Sequence, residues 1–162
     1  MPNRDMPQGF QPKGRVLRLN AYQAGGTIYP GDAVTLSSAG QVTAASASTA
    51  LVGVAASYAT SGEDVLVFDD PNQLFEGQAD DATIDAQTDI NLNYDLLATA
   101  GDSTYKASRH EVDASTQATT ATLPLKVIAV QKIPGEGLGA QVKCILKINN
   151  HQLDGSTGTA GI

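Results

Sequence analysis

The sequence predicts an all-β protein, an antiparallel β-sandwich or barrel, with an extended N-terminal arm and a flexible C-terminal tail. Three observations carry this expectation. Sixteen glycines punctuate short runs of alternating Val, Thr and Ala, the pattern of strands joined by tight turns. Charged residues make up only 17% of the chain, too few Glu and Lys for stable surface helices. Near the C-terminus, Val142, Cys144, Leu146 and Ile148 alternate with Lys143, Lys147 and Asn149, giving one apolar and one wet face.

Taken in order, residues 1–14 form the arm. Pro2, Pro7 and Pro12 forbid a helix there, and Phe10 is its one large apolar group, an anchor for a pocket on the same chain or on a neighbour. Residues 15–153 form a single β domain. Its first strand is expected over Arg15–Gln23, with Val16, Leu17 and Leu19 available for burial. Pro30-Gly31-Asp32 makes a tight turn, and strands 33–37 and 41–45 form a hairpin about Ser38-Ala39-Gly40. Leu51–Ala55 reads as a strand buried on both faces, where Gly53 allows another backbone to approach closely.

Asp64–Phe68 reads as a second central strand, followed by a turn at Asp69-Asp70-Pro71 and a strand at 74–78. The pattern over 90–97 is ambiguous. A turn at Gly101-Asp102, a short strand at 104–107 and a loop or short helix at 108–121 follow. Strands are expected again at 125–133 and 141–149. Residues 154–162, rich in Gly, Ser and Thr, have almost nothing to bury and are expected to be disordered alone.

The charge is uneven. Residues 1–23 hold Arg4, Lys13, Arg15 and Arg18 against Asp5, a net +3, so the remainder carries −10 of the total −7. An acidic body argues against nucleic-acid binding, whereas a basic arm suits an acidic neighbouring surface, including another copy. No apolar run is long enough for a signal peptide or a membrane span. This implies a chain made in the cytoplasm that stays soluble until it assembles. Cys144 is the only cysteine, so no intrachain disulfide forms, and its apolar neighbours mark it as a buried residue.

Catalytic patterns are missing. His110 and His151 lie in polar contexts without a ligand-spaced partner and read as surface residues. Gly135-Glu136-Gly137-Leu138-Gly139 links two strands and lacks the lysine of a phosphate loop. Asp80, Asp81, Asp85 and Asp89 lack the EF-hand order and read as a solvated acidic loop, with a cation or a neighbour's basic arm as the other occupants considered. A hydrolase would have to gather scattered residues such as Asp69, Asp95 or His110. The reading is therefore of a non-enzymatic protein without cofactor or metal.

Two stretches carry a resemblance. Asn3-Arg4-Asp5-Met6-Pro7-Gln8-Gly9-Phe10-Gln11-Pro12 is similar to the opening arm of small head proteins in tailed phages. Tyr29-Pro30-Gly31-Asp32-Ala33-Val34-Thr35-Leu36, with Gly40-Gln41-Val42 and Leu51-Val52-Gly53-Val54-Ala55, resembles the first hairpin of phage capsid decoration, or cement, proteins. Together they cover about a third of the chain, and nothing beyond Phe68 contributes.

The resemblance implies a β-sandwich or β-tulip body, a homo-oligomer with a trimer preferred, and a place on the virion surface bridging major capsid protein subunits. On that reading Arg4, Phe10, Lys13, Arg15 and Arg18 are the arm's contact residues. Two rivals stand beside it. One is a phage tail or baseplate component, and the other is a carbohydrate-binding module, disfavoured by the lack of Trp and the 5% aromatic content.

Overall fold

A computed structural model describes residues 3–81, 84–131, 133–155 and 157–162. Met1 and Pro2 of the arm, Ala82 and Thr83 of the acidic stretch, Lys132 of the strand expected at 125–133, and Ser156 of the tail lie outside them. The protein is all-β, with two sheets, and the one helical element among the described residues is a 3-10 turn at Gln87–Asp89. The strands are β1 (Gln11–Pro12), β2 (Asn20–Ala24), β3 (Ala33–Leu36), β4 (Gln41–Ala44), β5 (Gly53–Ala55), β6 (Asp64–Phe68), β7 (Leu74–Gln78), β8 (Asn93–Asp102), β9 (Ala107–Ala118), β10 (Leu125–Val130) and β11 (Lys143–Ile148).

Strands β2 to β6 close a small barrel in the order β2-β4-β3-β5-β6. β2 reaches β4 only through Gln23↔Gln41 and Ala24↔Val42, where the barrel closes. The hairpin expected at 33–45 supplies β3 and β4, paired from Val34↔Ala44 to Leu36↔Val42. One pair departs from the antiparallel expectation, since β2 runs parallel to β4 where the barrel closes. Ala24, Ile28, Val34, Val42, Val52, Ala55, Ala59, Val65 and Val67 fill the interior. These are small and β-branched side chains, as a five-stranded interior requires.

The remaining strands form a six-stranded antiparallel sheet, β1-β7-β11-β10-β8-β9. The sheet curls, so that β9 meets the end of β7 through a bridge between Ala79 and Val112. Its inner face holds Phe75, Ile84, Tyr94, Leu96, Val112, Leu125, Val127, Cys144, Leu146 and Ile148. Ala33, Leu51 and Val54 join the same core from the barrel side, so the two sheets share apolar packing. Cys144 is fully buried as expected, and burial pushes its thiol up to about 12.

Four differences from the sequence reading have clear physical reasons. The strand expected at 104–107 is a turn up to Lys106, and residues 108–118, within the stretch 108–121 expected as loop or short helix, belong to the long strand β9. Its inward positions are Ser108, His110, Val112 and Ala114, so a period of two is present without the apolar side chains that usually reveal it. His110 and His151 are buried, not surface residues. His110 Nδ1 accepts the Ala33 amide at 3.1 Å, and its Nε2 lies 3.7 Å from Asp32 Oδ1; His151 Nδ1 accepts the Leu153 amide at 3.1 Å.

The described end of the tail, residues 159–162, is also held, by side-chain donors and by backbone carbonyls. Asn93 Nδ2 donates to the Thr159 carbonyl at 2.8 Å, Lys126 Nζ donates to the Ala160 carbonyl at 2.9 Å, and the Ile162 amide donates to the Asn91 carbonyl at 3.1 Å. The fourth difference, at residues 15–19, defines the candidate site.

Candidate interaction surface

After a bend at Gly14 and Arg15, residues 16–19 cross from the six-stranded sheet to the barrel as a strap that runs into β2. It is held by one buried carboxylate. Asp69, 1% exposed, accepts Arg18 Nε at 2.7 Å, Asn20 Nδ2 at 2.8 Å and Tyr22 OH at 2.6 Å. Three side chains at a spacing of two therefore turn to the same side. Arg18 also donates to the Asp69 carbonyl at 2.9 Å, and the Leu17 amide donates to Gln73 Oε1 at 2.9 Å.

Burial alone would raise the Asp69 pKa. The hydrogen bonds from Tyr22, Arg18 and Asn20, with the Arg18 charge, outweigh it and hold the carboxyl below its ordinary range. Burial, followed by the hydrogen bond to Asp69, pushes the Tyr22 hydroxyl up to about 12. Asp69 thus stays ionised, and the strap stays clipped, across the physiological range.

Residues 14–21 are exposed throughout, Arg18 and Asn20 included, and Tyr22 is half-buried. Val16, Leu17 and Leu19 are 45%, 48% and 43% exposed, which overturns the expectation that they are buried. Leu66, on the neighbouring strand β6 and opposite Ala21, is 41% exposed, so β6 is central on one face only. Four large apolar side chains are thus exposed on the strap and on the strand beside β2, and exposed apolar groups of this kind mark interaction sites.

The five residues singled out in the sequence are not gathered in one place. Arg15 lies at the bend before the strap, and Arg18 belongs to the strap. Arg15 is exposed and makes no ion pair among the described residues, whereas Arg18 is committed to Asp69. Lys13 pairs with Glu76 of β7 at 2.9 Å, and Arg4 is exposed without an ion pair among the described residues. Phe10 takes the first of its two alternatives, a pocket on its own chain. It is 1% exposed, and β1 adds to the edge of β7 through Gln11↔Glu76 and Pro12↔Phe75.

The other acids and bases are engaged separately. Asp95 accepts the Ser48 amide and hydroxyl, and Asp89 accepts the Asp85 and Ala86 amides, closing the 3-10 turn. Asp89 is buried, so the acidic stretch is not wholly solvated. Among the described residues, no group of three His, Cys, Asp or Glu side chains is arranged to hold a metal ion. Burial, and then Asp5, Asp80 and Asp81, raise the Glu111 carboxyl to about 7.

A raised carboxyl pKa opposes folding as pH rises from the unfolded value of about 4.3 through the folded one. Glu111→Gln is therefore expected to stabilise the protein at about pH 8, by about 1 kcal/mol once solvent screening is discounted. A thermal melt reads that as a rise of about 2–4 °C, which vanishes near pH 4. The histidines act oppositely. Burial lowers both pKa values, so their contribution is complete above about 6.5 and is lost as pH falls below it. The Glu111→Gln protein isolates this effect, and its melting temperature is expected to fall between about pH 7 and pH 5.

No family model matches this chain, and no curated protein matches it in sequence.

Proposed function

We propose that the chain is a structural virion protein that binds the outer face of a phage capsid and reinforces contacts between major capsid protein subunits. The observation that supports this most is the strap. A soluble chain normally buries Leu and Val; here Val16, Leu17, Leu19 and Leu66 stand in water while the polar residues between them are pinned to Asp69. Arg4 and Arg15 add exposed positive charge to an otherwise acidic molecule, suited to an acidic partner surface.

The mechanism is mechanical. A compact body with an exposed apolar strap adds modest contacts at each symmetry-related site, and their number makes the whole shell hard to rupture. Particles assembled without the chain should release their DNA at a lower temperature than complete particles, and adding the purified protein should restore resistance. Equal rupture temperatures with and without the chain would remove the reinforcing role.

A further inference from the structure

Residues 157–162 lie in a slot made by the start of β8, the loop after β9 and the end of β11. We propose that this slot is a peptide-binding site for an extended Gly-x-x-Gly segment, filled by the chain's own residues and open to the same segment of a second copy. Two buried amides form its base. Asn93, fully buried, donates from Nδ2 to the Thr159 carbonyl at 2.8 Å. Asn149, 4% exposed, accepts the Thr159 amide at 3.1 Å and its hydroxyl at 3.2 Å through Oδ1. Lys126 Nζ donates to Thr159 Oγ1 at 3.0 Å and to the Ala160 carbonyl at 2.9 Å. The Gly161 and Ile162 amides donate to the Thr119 and Asn91 carbonyls, each at 3.1 Å.

The slot is set by bonds in which the segment takes no part. Asn93 Nδ2 also donates to the Thr120 carbonyl at 3.0 Å, and Asn149 Nδ2 donates to the Ala121 and Leu123 carbonyls at 2.8 and 3.0 Å. Both amides are thereby oriented before anything enters, and a preorganised site loses less entropy on binding.

Recognition falls on backbone and on glycine. Gly158 has φ +94°, and a Cβ there would lie 2.5 Å from the Ala121 carbonyl oxygen and 2.8 Å from that of Asn149. A Cβ on Gly161 would lie 3.0 Å from Leu92 Cα. Thr157, Thr159, Ala160 and Ile162 are exposed, whereas the two glycines are half-buried. The slot therefore demands glycine at two positions three apart and leaves the side chains between them in water. Among the 16 glycines that spacing occurs only at Gly155, Gly158 and Gly161, so this segment is the occupant the chain can supply.

Hydrogen bonds hold the segment, with no buried apolar side chain, and elements of this kind open locally at small free-energy cost. On a surface where copies stand side by side, an opened slot meets a neighbour's segment at high effective concentration, so exchange links copies. The inference goes beyond the shell-binding reading and uses no residue of the strap.

Nuclear magnetic resonance of the full chain tests it, with a capped synthetic peptide of residues 157–162 as the probe. Gly158→Val expels the chain's own segment. That chain should bind the peptide at least about tenfold more tightly than the native one, whose slot is self-occupied. The same peptide carrying Gly158→Val should not bind, and Lys126→Ala added to the Gly158→Val chain should weaken binding several-fold. Hydrogen exchange on the native chain gives an answer independent of any variant. The Gly161 and Ile162 amides should exchange faster than the Leu146 amide of β11, yet more slowly than in the free peptide.

Equal peptide binding by the native and Gly158→Val chains, or none by the latter, would overturn the proposal. So would binding of the substituted peptide, or Gly161 and Ile162 amides as slow as Leu146 or as fast as in the free peptide. Shell reinforcement is read on particles and is unaffected by any of these results.

Discussion

Replacing Phe10 by alanine is expected to destabilise the protein by about 3–5 kcal/mol, the usual range for emptying a buried aromatic site. Phe10 lies in the arm, among proline and polar residues. Its ring, however, occupies a place made for it. A Cβ on Gly77 would come within 2.4 Å of Phe10 Cδ1, so β7 carries glycine where the ring lies against the strand. The Phe10 amide donates to the Gly31 carbonyl at 2.9 Å, tying the same residue to the barrel turn. Phe10 thus links the arm, the six-stranded sheet and the barrel. A loss of this size is a large fraction of the 5–15 kcal/mol typical of a domain. Urea unfolding measures it directly, and a change below about 1 kcal/mol would mean that the arm does not dock as described.

The second large effect is expected at Gly53. Its pairing partner across β3 is Val34, and the next residue, Val54, pairs with Phe68 on β6. A Cβ at this position would lie 2.2 Å from the Phe68 carbonyl oxygen and 2.7 Å from Val67 Cγ1. The first of these is backbone held in a closed barrel and cannot turn aside. Gly53→Val should therefore cost about 3 kcal/mol or more, at or above the upper end for overpacked cores. Gly26→Ala is the matched control, since nothing lies within 4 Å of that position, and its unfolding midpoint should hardly move. Equal behaviour of the two variants would contradict the close approach of β5 to β6.

The close approach at Gly53 and the hairpin about Ser38-Ala39-Gly40 were legible in the sequence, because glycine and turn chemistry act locally. The strap was not. Ordinary hydrophobic logic offered Val16, Leu17 and Leu19 for burial, yet all three are exposed. The segment is held instead by the buried carboxylate of Asp69, which accepts from Arg18, Asn20 and Tyr22 and is distant in sequence from all three. Asp69 itself read as turn chemistry; its neighbour Asp70 performs that role by accepting the Asn72 amide.

The buried histidines illustrate the same limit. Nothing near His110 in sequence announces that the Ala33 amide will occupy its Nδ1, because that amide comes from the opposite sheet. Phe10 lay between these cases, since its need for a pocket was evident from the arm's composition while the pocket's owner was not.

The account's central claim is a structural role on a shell, and quantitative mass spectrometry of purified particles tests it most directly. The account predicts copies of this chain comparable in number to the major capsid protein. A handful of copies per particle, or none, would contradict it: the first would place the chain in the tail or at a single vertex, and the second would remove it from the virion.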